Sequence, residues 1–317
     1  MKEFVIRAEE SSQRLDKYLR RLLPQAAGGF LYKMLRKKNI TLNGSRATGR
    51  ELLAKGDAVR IYFSDDTFEK FAGHTDSDAE YEALKRIAPD ITVVFEDADI
   101  IVLSKPAGIL TQKAKDTDIS LNEQMLSYLI HSGALNKEQF AAFRPSVMNR
   151  LDFGTSGIVL AAKSLQGARS LAGQIASHSL KKEYLCLVHG DFRDQGKAVS
   201  YLVKDETANL VSLYDEPTEG AVRIETDFSV EQRILPFTLV RAGLVTGKSH
   251  QIRSQLAKLG HPIVFDAKYG NRQSDAPLRK RFPYAGQLLH AHRVVLEDGR
   301  EFAAEMPGIF SSVMSAS

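Results

Sequence analysis

Five consecutive apolar residues, Ile158-Val159-Leu160-Ala161-Ala162, restrict the fold of this chain more than any other stretch. A short apolar run without alternation is the pattern of a strand buried on both faces. It is entered through Asn149-Arg150-Leu151-Asp152-Phe153-Gly154-Thr155-Ser156-Gly157 and left through Lys163-Ser164. A turn carrying one carboxylate therefore feeds the strand, and a helix begins after it. Gly154 and Gly157 permit the sharp turns and close backbone approach that a Cβ resists. An acid held at the mouth of such a strand, beside an arginine, suits chemistry. A loop salt bridge between Arg150 and Asp152 explains the same spacing as well.

With 317 residues the chain can bury a full core and suggests a large and a small domain. The single cysteine, Cys186, excludes a disulfide framework and a thiolate zinc cluster. The histidines show no metal spacing; His290 and His292, two apart, suit a strand better than a ligand pair. No apolar run approaches the roughly 18 residues of a membrane span, and Met1-Lys2-Glu3-Phe4 lacks a signal peptide's apolar segment, so the expectation is a cytoplasmic protein without a membrane partner. Neither a Gly-x-Gly-x-x-Gly nor a Walker loop is present, so dinucleotide and P-loop chemistry have no support.

Charge is distributed unevenly. Residues 1–63 carry +8, residues 64–90 carry −5, and the remainder carries +1. A basic module, an acidic connector and a near-neutral large domain is the layout of a chain whose front end grips a polyanion, although a basic surface without a partner fits too. Leu15, Leu19 and Leu22 fall on one face of a predicted helix, and Phe30 to Lys38 pairs an apolar stripe with a basic one. Asn43-Gly44 marks a tight turn after Ile40-Thr41-Leu42, and Val59 to Phe63 reads as a strand. Ser64 to Asp90 reads as a mobile linker with a short helix near Tyr81 to Ile87.

From Ile91 the pattern changes. Two apolar runs around an Asp-rich turn predict a hairpin ending at Lys105-Pro106-Ala107-Gly108. Ser120 and Glu123 form a capping box ahead of a helix through Ile130. Strands are expected at Glu183–Val188, within 198–240, at Leu288–Leu296 and at Glu301–Glu305. Leu244 to Ile263 reads as strand, Gly turn, helix, Gly stop and strand. The expected class is α/β (α+β) with a mixed, mostly antiparallel sheet.

Arg150-Leu151-Asp152-Phe153-Gly154-Thr155-Ser156-Gly157 resembles the Arg-Leu-Asp-x-x-Thr-Ser-Gly signature of the RluA-type pseudouridine synthases. Lys105-Pro106-Ala107-Gly108, Lys182-Glu183-Tyr184, Thr246 to Arg253 and Gly260-His261-Pro262-Ile263 resemble that family's other motifs, in its order. Asn149, Lys248 and Phe265 depart from its commonest residues, which are His, Arg and Gly. Residues 1–63 resemble the small alpha-L RNA-binding domain named after the fourth ribosomal small-subunit protein. Together the resemblances imply an alpha-L domain at 1–63, an acidic linker at 64–90 and a pseudouridine synthase catalytic domain at 91–317.

The resemblance implies an isomerase that detaches uracil from its ribose, turns it and rejoins it through carbon, with no cofactor and no metal. Asp152 becomes the catalytic carboxylate, Arg253 its cationic partner and Tyr184 the ring against the uracil. Whether Asp152 attacks sugar, attacks base or removes a sugar proton is open. Arg150 is the candidate to fill the space of an extruded base. Asn149, Thr155, His250, Gln251 and Lys105 complete the expected substrate contacts, with Lys105 read mainly as loop support. Lys33, Arg36, Lys37 and Lys38 would lie along an RNA backbone. Large-subunit ribosomal RNA is the expected substrate. Transfer RNA, or a non-catalytic role in ribosome assembly, are the alternatives. Glycoside hydrolysis would need a second carboxylate, for which Asp266 is the nearest nominee.

Overall fold

The computed structural model describes residues 1–7, 10–72, 77–193, 196–205 and 210–316. It divides into two compact units. One comprises Met1–Ala88, Leu126–Pro145 and Ser164–Gln166; the other comprises Pro89–Met125, Ser146–Lys163 and Gly167–Ser317.

The chain begins with β1 (Lys2–Val5), α1 (Leu15–Leu22), α2 (Gly28–Arg36), β2 (Ile40–Leu42), β3 (Ser45–Arg46), β4 (Ala58–Ile61), α3 (Asp65–Ala72) and α4 (Ser77–Lys85). Next come β5 (Thr92–Glu96), β6 (Ile100–Lys105), α5 (Leu121–His131), α6 (Lys137–Ala142), β7 (Ser146–Val147), β8 (Ser156–Ala162), α7 (Leu165–Ala176) and β9 (Lys181–His189). The remainder is β10 (Gly196–Asp205), β11 (Leu210–Tyr214), β12 (Val222–Ile234), β13 (Phe237–Leu244), α8 (Gln251–Lys258), α9 (Arg272–Arg281), β14 (Leu289–Val295), β15 (Glu301–Ala303) and α10 (Gly308–Met314).

In the first unit a four-stranded sheet in the order β1-β4-β2-β3 carries α1 and α2. Leu15, Leu19, Leu31 and Leu35 bury the apolar stripes of the helices against Ile40, Val59 and Ile61. The sequence did not announce β1, whose four residues alternate in burial as a half-covered strand does. The expected mobile linker is corrected here. Residues 64–90 hold α3 and α4, while 73–76 of that stretch lie outside the described residues. Phe71 packs on Phe30 with ring centroids 4.4 Å apart, and Phe68 stacks on Phe4 at 5.8 Å. Those few aromatic residues among many acids are what tie α3 down. On α4, Asp78 pairs with Lys137 at 3.0 Å and Glu80 pairs with Arg144. Part of the connector's acidity therefore meets cations of α6 and of the loop after it.

The second unit is an eleven-stranded sheet in the order β11-β10-β12-β13-β9-β14-β8-β6-β5, with β15 on β14 and β7 on β8. Each described pairing is antiparallel except β8 with β14. All seven residues of β8 are buried, as its unbroken apolar run requires. Leu171 of α7 packs with Ile158 and Leu160, while Phe310 and Val313 of α10 pack with Leu185 and Leu187. Gly157, at φ 113°, pairs with Ala291, and a Cβ there would fall 2.2 Å from the Ala291 carbonyl oxygen. Only glycine permits that approach. The strand expected after Gly260 reduces to one bridge, Ile263 to Val188. Of the 198–240 stretch, 206–209 lie outside the described residues. Among the described residues no helix is long and apolar enough to cross a membrane.

His290 of β14 sits beneath this junction, 1% exposed, with Nδ1 2.9 Å from Ser156 Oγ and Nε2 3.1 Å from the Ala304 carbonyl. Burial lowers its pKa from 6.5 to about 4, against the pull of that carbonyl. The unfolded chain therefore binds a proton that the fold refuses between pH 6.5 and 4, and stability falls as pH drops through that window. The expected loss is at most about 3 kcal/mol. Urea titrations at pH 7 and pH 4.5 measure it, and His290→Gln should flatten the difference.

Candidate active site

Asp152 stands in the loop before β8, and its two neighbours are held through their backbones. The Thr111 hydroxyl donates to the Leu151 carbonyl at 2.8 Å and accepts the Leu151 N–H at 3.1 Å. The Phe153 carbonyl accepts from Gly108 N–H at 2.8 Å and from Lys105 Nζ at 3.2 Å. Lys105 also donates to the carbonyls of Pro106 and Ile109 at 2.9 and 2.8 Å. Its ammonium is fully buried, with three donors on three acceptors, so the expected substrate contact is corrected: Lys105 supports the loop. Burial lowers its pKa to about 8, while the Asp152 charge acts the other way.

The arginine partner comes from α8, which is buried along Gln251 to Leu256. Arg253 Nη1 donates to Asp152 Oδ2 at 2.6 Å. Its Nε and Nη2 donate to the two oxygens of Asp266 at 2.7 and 2.8 Å. One guanidinium thus bridges two carboxylates in a fork geometry that lysine cannot supply. Burial disfavours the Arg253 charge, but Asp266 and Asp152 outweigh it and hold the group more firmly cationic than usual. Burial likewise pushes Asp266 up, and Arg253 with the N–H groups of Tyr269 and Lys268 brings it below the ordinary carboxylate range. Asp266 is 1% exposed with both oxygens engaged, which removes it as the second acid of a hydrolase. Asp152, by contrast, is about 30% exposed. Oδ2 is taken by Arg253, and Oδ1 accepts no hydrogen bond among the described residues.

Asp152, Arg253 and Tyr184 line one cavity of about 660 Å³ within the second unit. Tyr184 lies on β9, separated from β8 by β14 alone. Burial and the Asp152 charge raise its phenol well above the usual value, so the hydroxyl keeps its proton at neutral pH. His250 occupies the left-handed N-cap of α8 at φ 56°. Tyr269 Oη accepts the Val211 N–H at 3.0 Å and lies 2.9 Å from His250 Nδ1. His250 Nε2 lies 4.0 Å from Asp152 Oδ1. Burial lowers the His250 pKa despite Asp152, so the imidazole is neutral.

Arg150 is exposed at the cavity rim, and among the described residues it makes no ion pair with Asp152. Asn149 accepts the Leu160 N–H at 2.7 Å and serves β8 as much as the cavity. Gln251 is 2% exposed; its amide nitrogen donates to the Glu225 carbonyl and Thr226 Oγ1, and its oxygen accepts from Thr246 and the Lys248 N–H. Thr155 accepts from Gln287 at 2.7 Å. These three line the cavity chiefly by shaping it. Lys113, Lys182, Lys204 and Lys248 join Arg150 and Arg253 in the wall, where Asp152 is the only acid among the described residues. Lys33, Arg36, Lys37 and Lys38 lie in the other unit, exposed on α2 and the turn after it. Sequence reading missed Thr111, Tyr269 and the role of Asp266 as second partner of Arg253. No spacing rule joins residues 40 or 13 positions apart across turns.

A family model described as RNA pseudouridylate synthase matches residues 99–258. The chain is similar to a Haemophilus influenzae protein called ribosomal large subunit pseudouridine synthase C, 32% identical over 88% of this chain and 82% of that one. An Escherichia coli protein of the same name is 33% identical over 92% of this chain and 87% of its own length. Among solved structures, human RNA pseudouridylate synthase domain containing 4 matches with a TM-score of 0.55 at 18% identity, over 76% of this chain and 96% of the other. That likeness supports the fold.

Asp266→Ala should destabilise the second unit by about 3–5 kcal/mol, because it leaves a buried guanidinium with half its partners. Chemical denaturation followed by near-UV circular dichroism measures the loss.

Proposed function

The chain belongs to the RNA pseudouridylate synthase family, in its RluA-type branch, and is an isomerase; from that premise we propose that Asp152, Arg253 and Tyr184 convert uridines of large-subunit ribosomal RNA to pseudouridine. The names of the two bacterial relatives support that substrate. The observation that carries the site assignment is the 2.6 Å pair of Asp152 and Arg253, in a cavity whose wall holds six cations and one acid among the described residues. A cavity of about 660 Å³ is of the size that accepts a swung-out nucleotide, and its cations suit the flanking phosphates. Ribosomal RNA as substrate also fits a cytoplasmic chain.

The reaction breaks the bond from ribose to ring nitrogen and makes one to ring carbon, and the proton lost from that carbon is matched by the one gained at nitrogen. Asp152 Oδ1 faces the nucleotide while Arg253 holds Oδ2, so the carboxylate enters the reaction oriented. Tyr184, being a protonated phenol, is a flat wall for the uracil and a hydroxyl that accepts a proton only as it passes one on. His250 places Nε2 4.0 Å from Asp152 Oδ1. Arg150, exposed at the rim, fills the stack that the base leaves.

Residues 1–63 act as the RNA-binding module, 64–90 as its connection and 91–317 as the catalytic domain. Lys33, Arg36, Lys37 and Lys38 stand exposed without carboxylate partners among the described residues, which supports a role as phosphate contacts.

Purified protein should form pseudouridine in an unmodified large-subunit transcript, and Asp152→Asn should lower the rate by at least about 100-fold. Equal product from Asp152→Asn would remove the mechanism; product on transfer RNA alone would move the substrate. Replacing Lys33, Arg36, Lys37 and Lys38 by Gln should weaken RNA binding and reduce the slope of log K against log salt by about 3, at roughly 0.7 per contact. An unchanged slope would show that the grip lies elsewhere.

A further inference from the structure

Six non-glycine residues have positive φ among those described, and five of them are polar: Ser12, Lys38, Asn43, His178 and His250. The sixth is Phe265, at φ 66° and 1% exposed. A bulky side chain in the left-handed region is an outlier that persists only where its surroundings over-determine it. Phe265 directly precedes Asp266, so its backbone sets where the carboxylate that grips Arg253 is aimed.

The residue before it has no freedom. Val264 donates to the Leu187 carbonyl and accepts from the Leu288 N–H, both at 2.9 Å, so the chain must turn at Phe265. Both polar backbone groups of Phe265 are then taken by α9. Its N–H donates to Asp275 Oδ2 at 3.0 Å, and its carbonyl accepts from Arg279 Nη2. The Arg279 guanidinium also lies over the Phe265 ring, 4.9 Å from its centre. Asp275 is 2% exposed, and its other oxygen meets His189 Nε2 at 2.8 Å, which anchors it to β9. One helical turn apart, Asp275 and Arg279 share a face of α9 and hold opposite ends of one residue.

We propose that Asp275 and Arg279 are positioning residues that clamp Phe265 in its left-handed conformation and thereby deliver Asp266 to Arg253. If the clamp is lost, Phe265 relaxes toward negative φ, the Asp266 carboxylate turns away, and Arg253 no longer presents a fixed Nη1 to Asp152. Neither clamp residue lines the cavity, so the loss falls on turnover and leaves RNA affinity alone. The inference rests on the reading that Asp152 and Arg253 carry the reaction.

Asp275→Ala and Arg279→Met, each in the full chain, should lower kcat on the large-subunit transcript by about tenfold with KM within about twofold of wild type. In a Phe265→Gly background the same substitutions should cost less than about threefold, because glycine occupies the left-handed region without a clamp. That recovery should come although the melting temperature falls with loss of the buried ring, which a merely structural role would not allow. Wild-type kcat from both variants, or equal losses in both backgrounds, would overturn the proposal. Arg279→Met carries the test if Asp275→Ala does not fold. The Arg253 Nε–H, buried and donated to Asp266, should exchange slowly, and its NMR resonance reads the same geometry without substrate. It should be lost in Asp275→Ala and restored by adding Phe265→Gly; its persistence in Asp275→Ala would equally sink the idea, whereas wild-type protein inert on the transcript would strike only the substrate reading.

Discussion

A single buried guanidinium holds the catalytic end of this molecule together. Arg253 spends three donors on two carboxylates, and the two have opposite surroundings: Asp266 is sealed and Asp152 opens to the cavity. Burying a cation costs several kcal/mol unless it is fully paired, which makes Asp266 as necessary to Arg253 as the acid that faces the cavity. The sealed acid fixes the plane of the fork. The open acid is left with one oxygen oriented and the other free.

The sheet explains how such distant residues meet. Asp152 leads into β8, Tyr184 lies on β9, and β14 is the single strand between them. The parallel pairing of β8 with β14 requires Gly157, because the Ala291 carbonyl occupies the place a Cβ would take. Around the Asp152 loop, Thr111, Gly108 and Lys105 satisfy the backbone groups of the flanking residues. Orientation of the carboxylate is therefore fixed by hydrogen bonds to its neighbours as well as by its ion pair. Among the described residues cations dominate the wall, a field that attracts a polyanion.

Several elements were legible because their residues announce them locally. The unbroken run of β8, the Asn43-Gly44 turn between β2 and β3, and the capping pair Ser120 and Glu123 each carry their own signal within a few positions. The motif strings also brought Asp152, Tyr184 and Arg253 forward as a set, and the three do line one cavity. The connector misled because its composition is that of a linker. Phe68 and Phe71 reverse that reading once they find Phe4 and Phe30. Lys105 was read mainly as loop support, and its three carbonyl acceptors leave no donor for the substrate contact also expected of it.

The sequence alone determined the family, the alternation of strands and helices, the acid at the mouth of β8 and the basic front end, because those depend on residue type and short spacing. Tertiary structure alone decided that Arg253 serves two acids, that Asp266 is walled off from substrate, and that Phe265 takes a backbone conformation its side chain resists. Each of those depends on partners brought together by the closing of a sheet, and the energy of a buried charge or a strained dihedral is set by what surrounds it, which no local stretch of chain contains.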